Sequence, residues 1–392
     1  DSTEFPAWAA IPVGIAGALV IGLTFVWESS MSTRTFLTGA TVCVVVLGAL
    51  SGVTFVDGWA KWNYAGYENK PKWPEYEALM AEIDTLPEGR VHWEAANKEL
   101  GVYGTPMSPM LIPYWTEGSH PSMEGLFFES SLTTPFHFIN SSEMSERPSN
   151  PIPGLQYHTG EMERGLKHLE LFGVDYYVSV TPEATERADG IPEMSKLATT
   201  GPFSIYRLPE TELVEVASFL PSVYEVPEHG LLDSLTGSDT VTGSDGEELP
   251  SFFDMALTWY EDVDNLDRLV VTDGPAEWPR IESIEQRPDV ALDAPADAVS
   301  DIVVENHRIS FNTTAVGLPH LIKVSYFPNW TATGADGPWR ATPSLMVVVP
   351  TSEQVVLEFQ DTWAETGGKI ATLIGVLGLI GVGIWGVRRR QV

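Results

Sequence analysis

Cysteine is almost missing: the 392-residue chain has one, Cys43, set inside an apolar run. No intramolecular disulfide can form, and a metal site built on thiolates is excluded. An outer-face domain without disulfides fits a prokaryotic envelope better than a eukaryotic secretory route. Basic residues are scarce too, 22 against 54 acidic ones, which gives a net charge of −32 and a pI near 4.4. Such a surface repels nucleic acid and anionic lipid alike. Its plainest explanation is adaptation to salt, where dense acidic side chains stay hydrated. Gly-x-Ser-x-Gly, His-Glu-x-x-His and the Walker A pattern are also absent, so three common routes to catalysis have no signature here. The chain starts at Asp1 with no Met, basic leader or cleavage pattern. It is therefore expected to be a piece of something longer rather than to open on a signal peptide.

What the sequence does have is apolar length at both ends. Residues 370–387 (IATLIGVLGLIGVGIWGV) carry no charge and run into Arg388, Arg389 and Arg390. At about 1.5 Å per residue this stretch nearly matches a hydrocarbon core of roughly 30 Å. The positive-inside rule puts the arginines in the cytoplasm. Residues 7–27 and 35–56 read as two more spans joined by a short polar link at 28–34, a hairpin with both ends outside. The expected architecture is an α+β membrane protein of five parts. They are the hairpin (1–57), an extracytoplasmic α/β domain (58–274), a Pro/Ala/Asp-rich linker (275–298), a small β-sandwich-like module (299–362) and a C-terminal transmembrane helix (363–392).

Between the spans, residues 57–73 are rich in Trp, Tyr and Lys and read as an interfacial belt. Helices are expected at 74–83, 161–172 and 252–260, the second stopped by Gly173 and followed by a strand at 174–180. A helix, a glycine and a strand in that order make α/β grammar. Residues 232–249 carry TGSD twice and read as a flexible acidic loop. After residue 299 the apolar period becomes two, as at Ile309 and Phe311 or Val355, Leu357 and Phe359.

Residues 101–153 mix prolines, aromatics, hydroxyls and carboxylates without a period. Long stretches of this kind are usually functional. The candidate site residues come from here: Tyr114, Trp115, His120, Glu124, Glu129 and His137. Two carboxylates with aromatic floors are what glycoside chemistry and sugar contact require. The alternative is that Glu124 and Glu129 bind loop amides. Asp262, Asp264 and Asp267 have the spacing of a metal-binding Asp-x-Asp, but no Gly-rich phosphate loop adjoins them. His158 and His168, ten apart, lack a third ligand and read as polar surface residues. Asn140, Asn312 and Asn329 head N-x-S/T sequons expected on the outer face.

The runs 324–330 (VSYFPNW), 337–340 (GPWR) and 343–350 (PSLMVVVP) resemble the C-terminal β-module of large polytopic membrane proteins of the YfhO type. That group includes actinobacterial proteins sometimes labelled 6-pyruvoyl-tetrahydropterin synthase-related. Upstream, 103–106 (YGTP), 114–115 (YW), 123–129 (MEGLFFE), 148–151 (PSNP) and 171–177 (LFGVDYY) extend the likeness over most of 57–385. Such proteins resemble GT-C glycosyltransferases, with many spans, a polyprenyl-phosphate sugar donor and an extracytoplasmic domain near the C-terminus. In that class the catalytic carboxylate lies in an early outer loop. The resemblance therefore implies a catalytic transmembrane half beyond this chain, and no catalytic residue is carried over. No cofactor is evident, and the resemblance leaves room for a divalent cation in the longer parent. The implied partners are the bilayer, a polyprenyl-linked sugar or envelope glycan, and the missing N-terminal transmembrane half; nucleic acid is excluded by charge. The expected location is the plasma membrane, multi-pass, with the large domain outside and the C-terminus in the cytoplasm. A non-catalytic, membrane-tethered assembly or receptor ectodomain is the alternative.

Overall fold

In the computed structural model the described residues are 39, 42, 58–124, 131–225, 241–242, 248–249, 251–295 and 297–389. The spans expected at 7–27 and 35–56, apart from helical positions 39 and 42, lie outside them, as do Glu129 and most of 232–249. The chain divides into two compact units, Asp1–Glu77 with Leu100–Ser108, and Ala78–Glu99 with Pro109–Val392.

Aromatic rings dominate the smaller unit. Helical residues 58–64 expose Trp59, Trp62 and Tyr64. Trp59 meets Tyr64 edge on, centroids 6.0 Å apart, and Lys70 Nζ sits 4.1 Å over the Trp62 ring. The Trp62 indole N–H donates to the Gly104 carbonyl (3.3 Å), and the Tyr103 hydroxyl donates to Glu75 (3.0 Å). Rings with an apolar body and a polar handle suit a membrane-water boundary. Helix α1 spans Trp73–Asp84, with Tyr76, Leu79, Met80 and Ile83 buried at helical spacing.

In the larger unit the chain runs through β1 (Val91–Trp93), α2 (Ile112–Trp115), α3 (Thr134–Glu143), α4 (Met162–Leu171) and β2 (Tyr176–Ser179). It continues through α5 (Pro182–Asp189), β3 (Ser195–Thr200) and β4 (Phe203–Arg207). A sheet of order β1-β2-β4-β3 results, with β1 parallel to β2 and the other pairs antiparallel. Between α4 and β2 the chain reverses at Gly173, φ +63°, where the Val174 N–H closes on the Leu169 carbonyl (2.9 Å). This is the helix-glycine-strand unit that the sequence announces. The Thr181 side chain caps α5 by accepting from the Ala184 N–H, with Pro182 in the first turn. Within the aperiodic 101–153 stretch, α3 forms although its residues are poor helix formers. Eight of its ten residues are buried, so packing holds it and no amphipathic stripe marks it in sequence.

The remaining strands are β5 (Val214–Val216), β6 (Ser222–Tyr224), β7 (Val241–Thr242), β8 (Glu248–Leu249), β9 (Val270–Val271) and β10 (Arg280–Ile281). Helix α6 (Phe252–Glu261) lies between β8 and β9. There follow β11 (Val299–Glu305), β12 (Arg308–Thr313), β13 (His320–Ile322), β14 (Trp330–Thr333), β15 (Ala335–Ala341), β16 (Leu345–Pro350) and β17 (Gln354–Phe359). Among the described residues β7 pairs only with β8, and the others form a seven-stranded sheet, β10-β6-β9-β15-β16-β13-β5, and a four-stranded one, β11-β12-β17-β14. Ile309, Phe311, Val355 and Leu357 of the smaller sheet pack on Val214, Ile322, Met346 and Val348 of the larger, a sandwich core of the kind that period-two strands build. On the opposite face, Leu321, Leu345 and Val347 join Phe136, Leu169, Trp259 and Tyr260 of the helices. Strands from both sides of 275–298 share the seven-stranded sheet, and that segment supplies β10 itself.

Between β14 and β15 the chain passes from one sheet to the other in a single residue, Gly334, at φ +81°. A Cβ there would collide with the Gln354 carbonyl. Helix α7 (Trp363–Arg389) follows β17 after three residues. Its first 20 residues, Trp363–Val382, make the one helix among those described that is long and apolar enough to cross a membrane. Leu373, Ile374, Leu377 and Leu379 are exposed, as the side chains of a lipid-facing helix are. Gly334→Ala is expected to destabilise the larger unit by at least about 1–2 kcal/mol from the left-handed backbone alone. Denaturant unfolding of the detergent-solubilised chain measures it, and an unchanged midpoint would refute the sheet crossing.

Candidate functional site

Strand β1 places His92 beside its register partner Tyr177 on β2, the rings 6.3 Å apart and nearly parallel. Helix α3 brings His137 to the same spot, centroid 5.6 Å from His92 and edge on. The loop beyond Ser122, itself bridged to Val91, delivers Glu124, and His137 Nε2–H donates to Glu124 Oε1 at 2.6 Å. His92 and His137 are buried, and Glu124 is nearly so. Among the described residues His92 Nε2 has no hydrogen-bond partner. Burial pushes the His92 imidazole well below the usual histidine range, and the adjacent His137 pushes the same way. The arrangement is a carboxylate that orients one imidazole against a second, neutral one.

A second polar cluster joins α3, α4 and α6 in the interior. Glu143 Oε1 accepts from Arg164 Nε (3.0 Å) and its Oε2 from His168 Nδ1 (2.7 Å), while His168 Nε2 donates to the Tyr260 carbonyl (3.0 Å). The His168 ring lies flat on Tyr260, centroids 3.6 Å apart. Arg164 Nη2 continues to the Glu261 carboxylate (2.8 Å), which also accepts from His158 Nε2 (2.9 Å). Gly165 permits this, since a Cβ there would sit 2.9 Å from Glu143 Cβ. The sequence places His168 on the surface; it is completely buried. The usable signal is Arg164 and His168 at i, i+4, one face of α4 carrying two donors for one carboxylate.

The other candidates fall separately. His120 is buried and tied down, with Nδ1 2.8 Å from Ser119 Oγ and Nε2 donating to the Pro87 carbonyl (3.1 Å). It fixes a turn. Tyr114 is 72% exposed and meets Trp115 edge to face at 5.2 Å on α2. Glu124 and His137 meet; Glu129 lies outside the described residues. Glu94, which the sequence does not single out, is buried and structural. It accepts from the Val180 and Thr181 N–H groups (2.8 Å each) and the Thr181 hydroxyl (2.6 Å).

A cleft of about 590 Å³ opens beside α4, β5 and β13, lined by Lys167, Glu170, Thr211, Glu215, Asp264 and Lys323 among others. Lys323 lies buried in it, donating to the Glu170 carbonyl (3.1 Å), Glu215 (3.0 Å) and the Thr211 hydroxyl. Desolvation raises the Glu170 carboxyl above its ordinary range. Alternating acceptors and donors of this kind suit a polyhydroxylated ligand. Asp264 pairs with Lys167 (2.5 Å), Asp267 with Arg268 (2.9 Å), and Asp262 accepts from Asn265 (2.5 Å). Among the described residues no group of three His, Cys, Asp or Glu is placed to hold a metal ion.

The sequons also separate. Asn140 Nδ2 is spent on the Gly165 carbonyl (2.9 Å) and Asn329 Nδ2 on the Gln360 carbonyl (2.8 Å) and Glu365 (2.7 Å), both asparagines being buried. Asn312 alone of the three reaches solvent, donating to Asp301 (2.8 Å).

No family model, curated protein or solved structure matches the chain. The likeness to YfhO-type proteins rests on the sequence motifs alone.

Two outcomes follow. Glu143→Gln leaves Arg164 without its buried carboxylate and is expected to cost about 3–5 kcal/mol, read as a lowered unfolding midpoint. The pH dependence has a definite sign. Burial holds His92, His120 and His320 below the ordinary histidine value of 6.5. Below pH ~6.5 these three sites therefore bind more protons in the unfolded chain than in the folded one, and their contribution to stability falls as pH falls, by up to about 1.4 kcal/mol per pH unit per group. His92→Gln should flatten that slope between pH 6.5 and 5; an unaltered slope would remove His92 from the account.

Proposed function

We propose that this chain is the anchored outer-face portion of a GT-C-like membrane glycosyltransferase in envelope polysaccharide or glycolipid assembly. In this reading it holds the glycan acceptor, while transfer from a polyprenyl-phosphate sugar donor occurs in transmembrane parts beyond residues 1–392. The observation that carries the reading is Tyr114, exposed on α2 and braced edge on by Trp115, on a body joined directly to an apolar helix. An exposed, rigid aromatic face stacks on the C–H face of a sugar at little entropic cost. Glu124, steered by His137, supplies a carboxylate for ring hydroxyls. A binding role also agrees with the interior, where Glu94, Glu143 and His168 are all committed to partners within the fold.

That same commitment favours one other reading, a non-catalytic assembly or receptor ectodomain. Glycan binding separates the two. The full chain in lipid nanodiscs, titrated in high salt with envelope oligosaccharides, should bind saturably. Tyr114→Ala should weaken binding by about fivefold, on the order of 1 kcal/mol for one aromatic contact, and Glu124→Gln should weaken it as well. Absence of binding, or binding indifferent to both changes, would discard the acceptor reading in favour of the receptor.

A further inference from the structure

Three residues separate the end of β17 at Phe359 from the start of α7 at Trp363. Fully extended, the four steps from 359 to 363 could span no more than about 14 Å. The connection is not free to extend. The Gln360 N–H donates to the Asn329 carbonyl (2.9 Å), and Asn329 Nδ2 donates back to the Gln360 carbonyl (2.8 Å). Asn329 also donates to Glu365 in the first turn of α7 (2.7 Å), and the same carboxylate accepts from the Thr362 N–H (2.5 Å) and hydroxyl (2.6 Å). These bonds tie the first turn of the helix to the end of the sheet.

Register shows which end of the sheet this is. Trp330 pairs with Phe359, and Glu305, Arg308 and Glu358 stand in line across β11, β12 and β17. The hairpin tip at 305–308 and the turn at 327–330 therefore lie at the end from which α7 leaves. Phe327 is two residues from Asn329 and stacks on Phe359 at 5.8 Å, while Trp330 and His307 meet the same ring at 5.5 and 5.8 Å. Phe327 is 42% exposed, Val304 59% and Trp363 86%. Two basic residues at this end are held in ion pairs. Arg308 lies 3.1 Å from Glu305 and 3.9 Å from Glu358, and Lys369 pairs with Asp361.

Lys369 marks the edge of the uncharged stretch, and Glu365 lies four residues before it, about 6 Å along a helix. The headgroup layer is about 5–8 Å deep on each side of the hydrocarbon. We infer that this end of the outer sheet, with Phe327, Phe359, Trp330, Trp363 and the 305–308 tip, rests in the headgroup layer of the leaflet that α7 enters. The lipid surface is its partner, and Asn329 sets the depth. Aromatic rings are the side chains that favour that layer. The inference rests on α7 spanning the membrane, and the test separates the two.

In a Cys43→Ser background, single cysteines at Phe327, Asn306, Gly375 and Glu353 take a nitroxide label, with the full chain in nanodiscs. Collision rates with oxygen and with a water-soluble nickel chelate are then compared. Gly375 lies in the apolar helix, and Glu353 just before β17 at the opposite end of the sheet. The expected result is a lipid-like signal at 375 and free nickel access at 353, with a severalfold loss of nickel access at both 327 and 306. If 327 and 306 match 353 while 375 stays in lipid, the sheet end is not docked and the inference falls alone. If 375 is also open to nickel, the spanning helix falls first. Thermal unfolding of each labelled chain confirms the fold, and agreement of two independent positions guards against a local defect.

Discussion

The seven-stranded sheet has two apolar faces, and neither can be left to water. One face takes Ile309, Phe311, Val355 and Leu357 from the smaller sheet; the other takes the helices through Leu169, Trp259 and Tyr260. Each covering layer buries its own apolar side only because this wall stands between them. Its strands come from distant parts of the sequence, with β5 at 214–216 beside β13 at 320–322. The α/β body and the sandwich thus share one sheet, with a core on each face of it, and the short strands β6, β9 and β10 exist as members of that wall rather than by their own propensity.

Polar groups inside this core are arranged for satisfaction rather than for reaction. Glu143 serves Arg164 and His168 together, and Glu94 closes the start of α5. A carboxylate held by two or three donors is a poor general base, because any proton it took would break those bonds. Availability rises toward the surface, at Glu124, at Tyr114 and in the cleft around Lys323.

Much of this frame was legible in the sequence. The 161–180 segment announces helix, glycine and strand because each carries its own local signal, and the period of two after residue 299 marks the sandwich. Helix α3 was not legible, since TPFHFINSSE is buried on nearly every side and has no solvent face to create a pattern. The start of α5 carries a local signal, Thr181-Pro182, a capping residue followed by a proline at the first helical position. His168 was misplaced because its neighbours Lys167 and Glu170 are polar, while the carboxylate that recruits it inward lies 25 residues upstream on another helix. Of the site, the meeting of Glu124 with His137 follows from closeness in sequence. His92 comes from a strand 45 residues away, and only tertiary structure delivers it.

The order β11-β12-β17-β14 has a mechanical side. The strand that continues into α7 is an interior strand, hydrogen-bonded to β12 on one side and β14 on the other. Tension between the apolar helix and the body would enter at the end of β17 and be shared by the ladders on both of its sides. An edge strand pulled from its end could unzip bond by bond. Traction from the helix is therefore carried into the sandwich core by the strand best held against it.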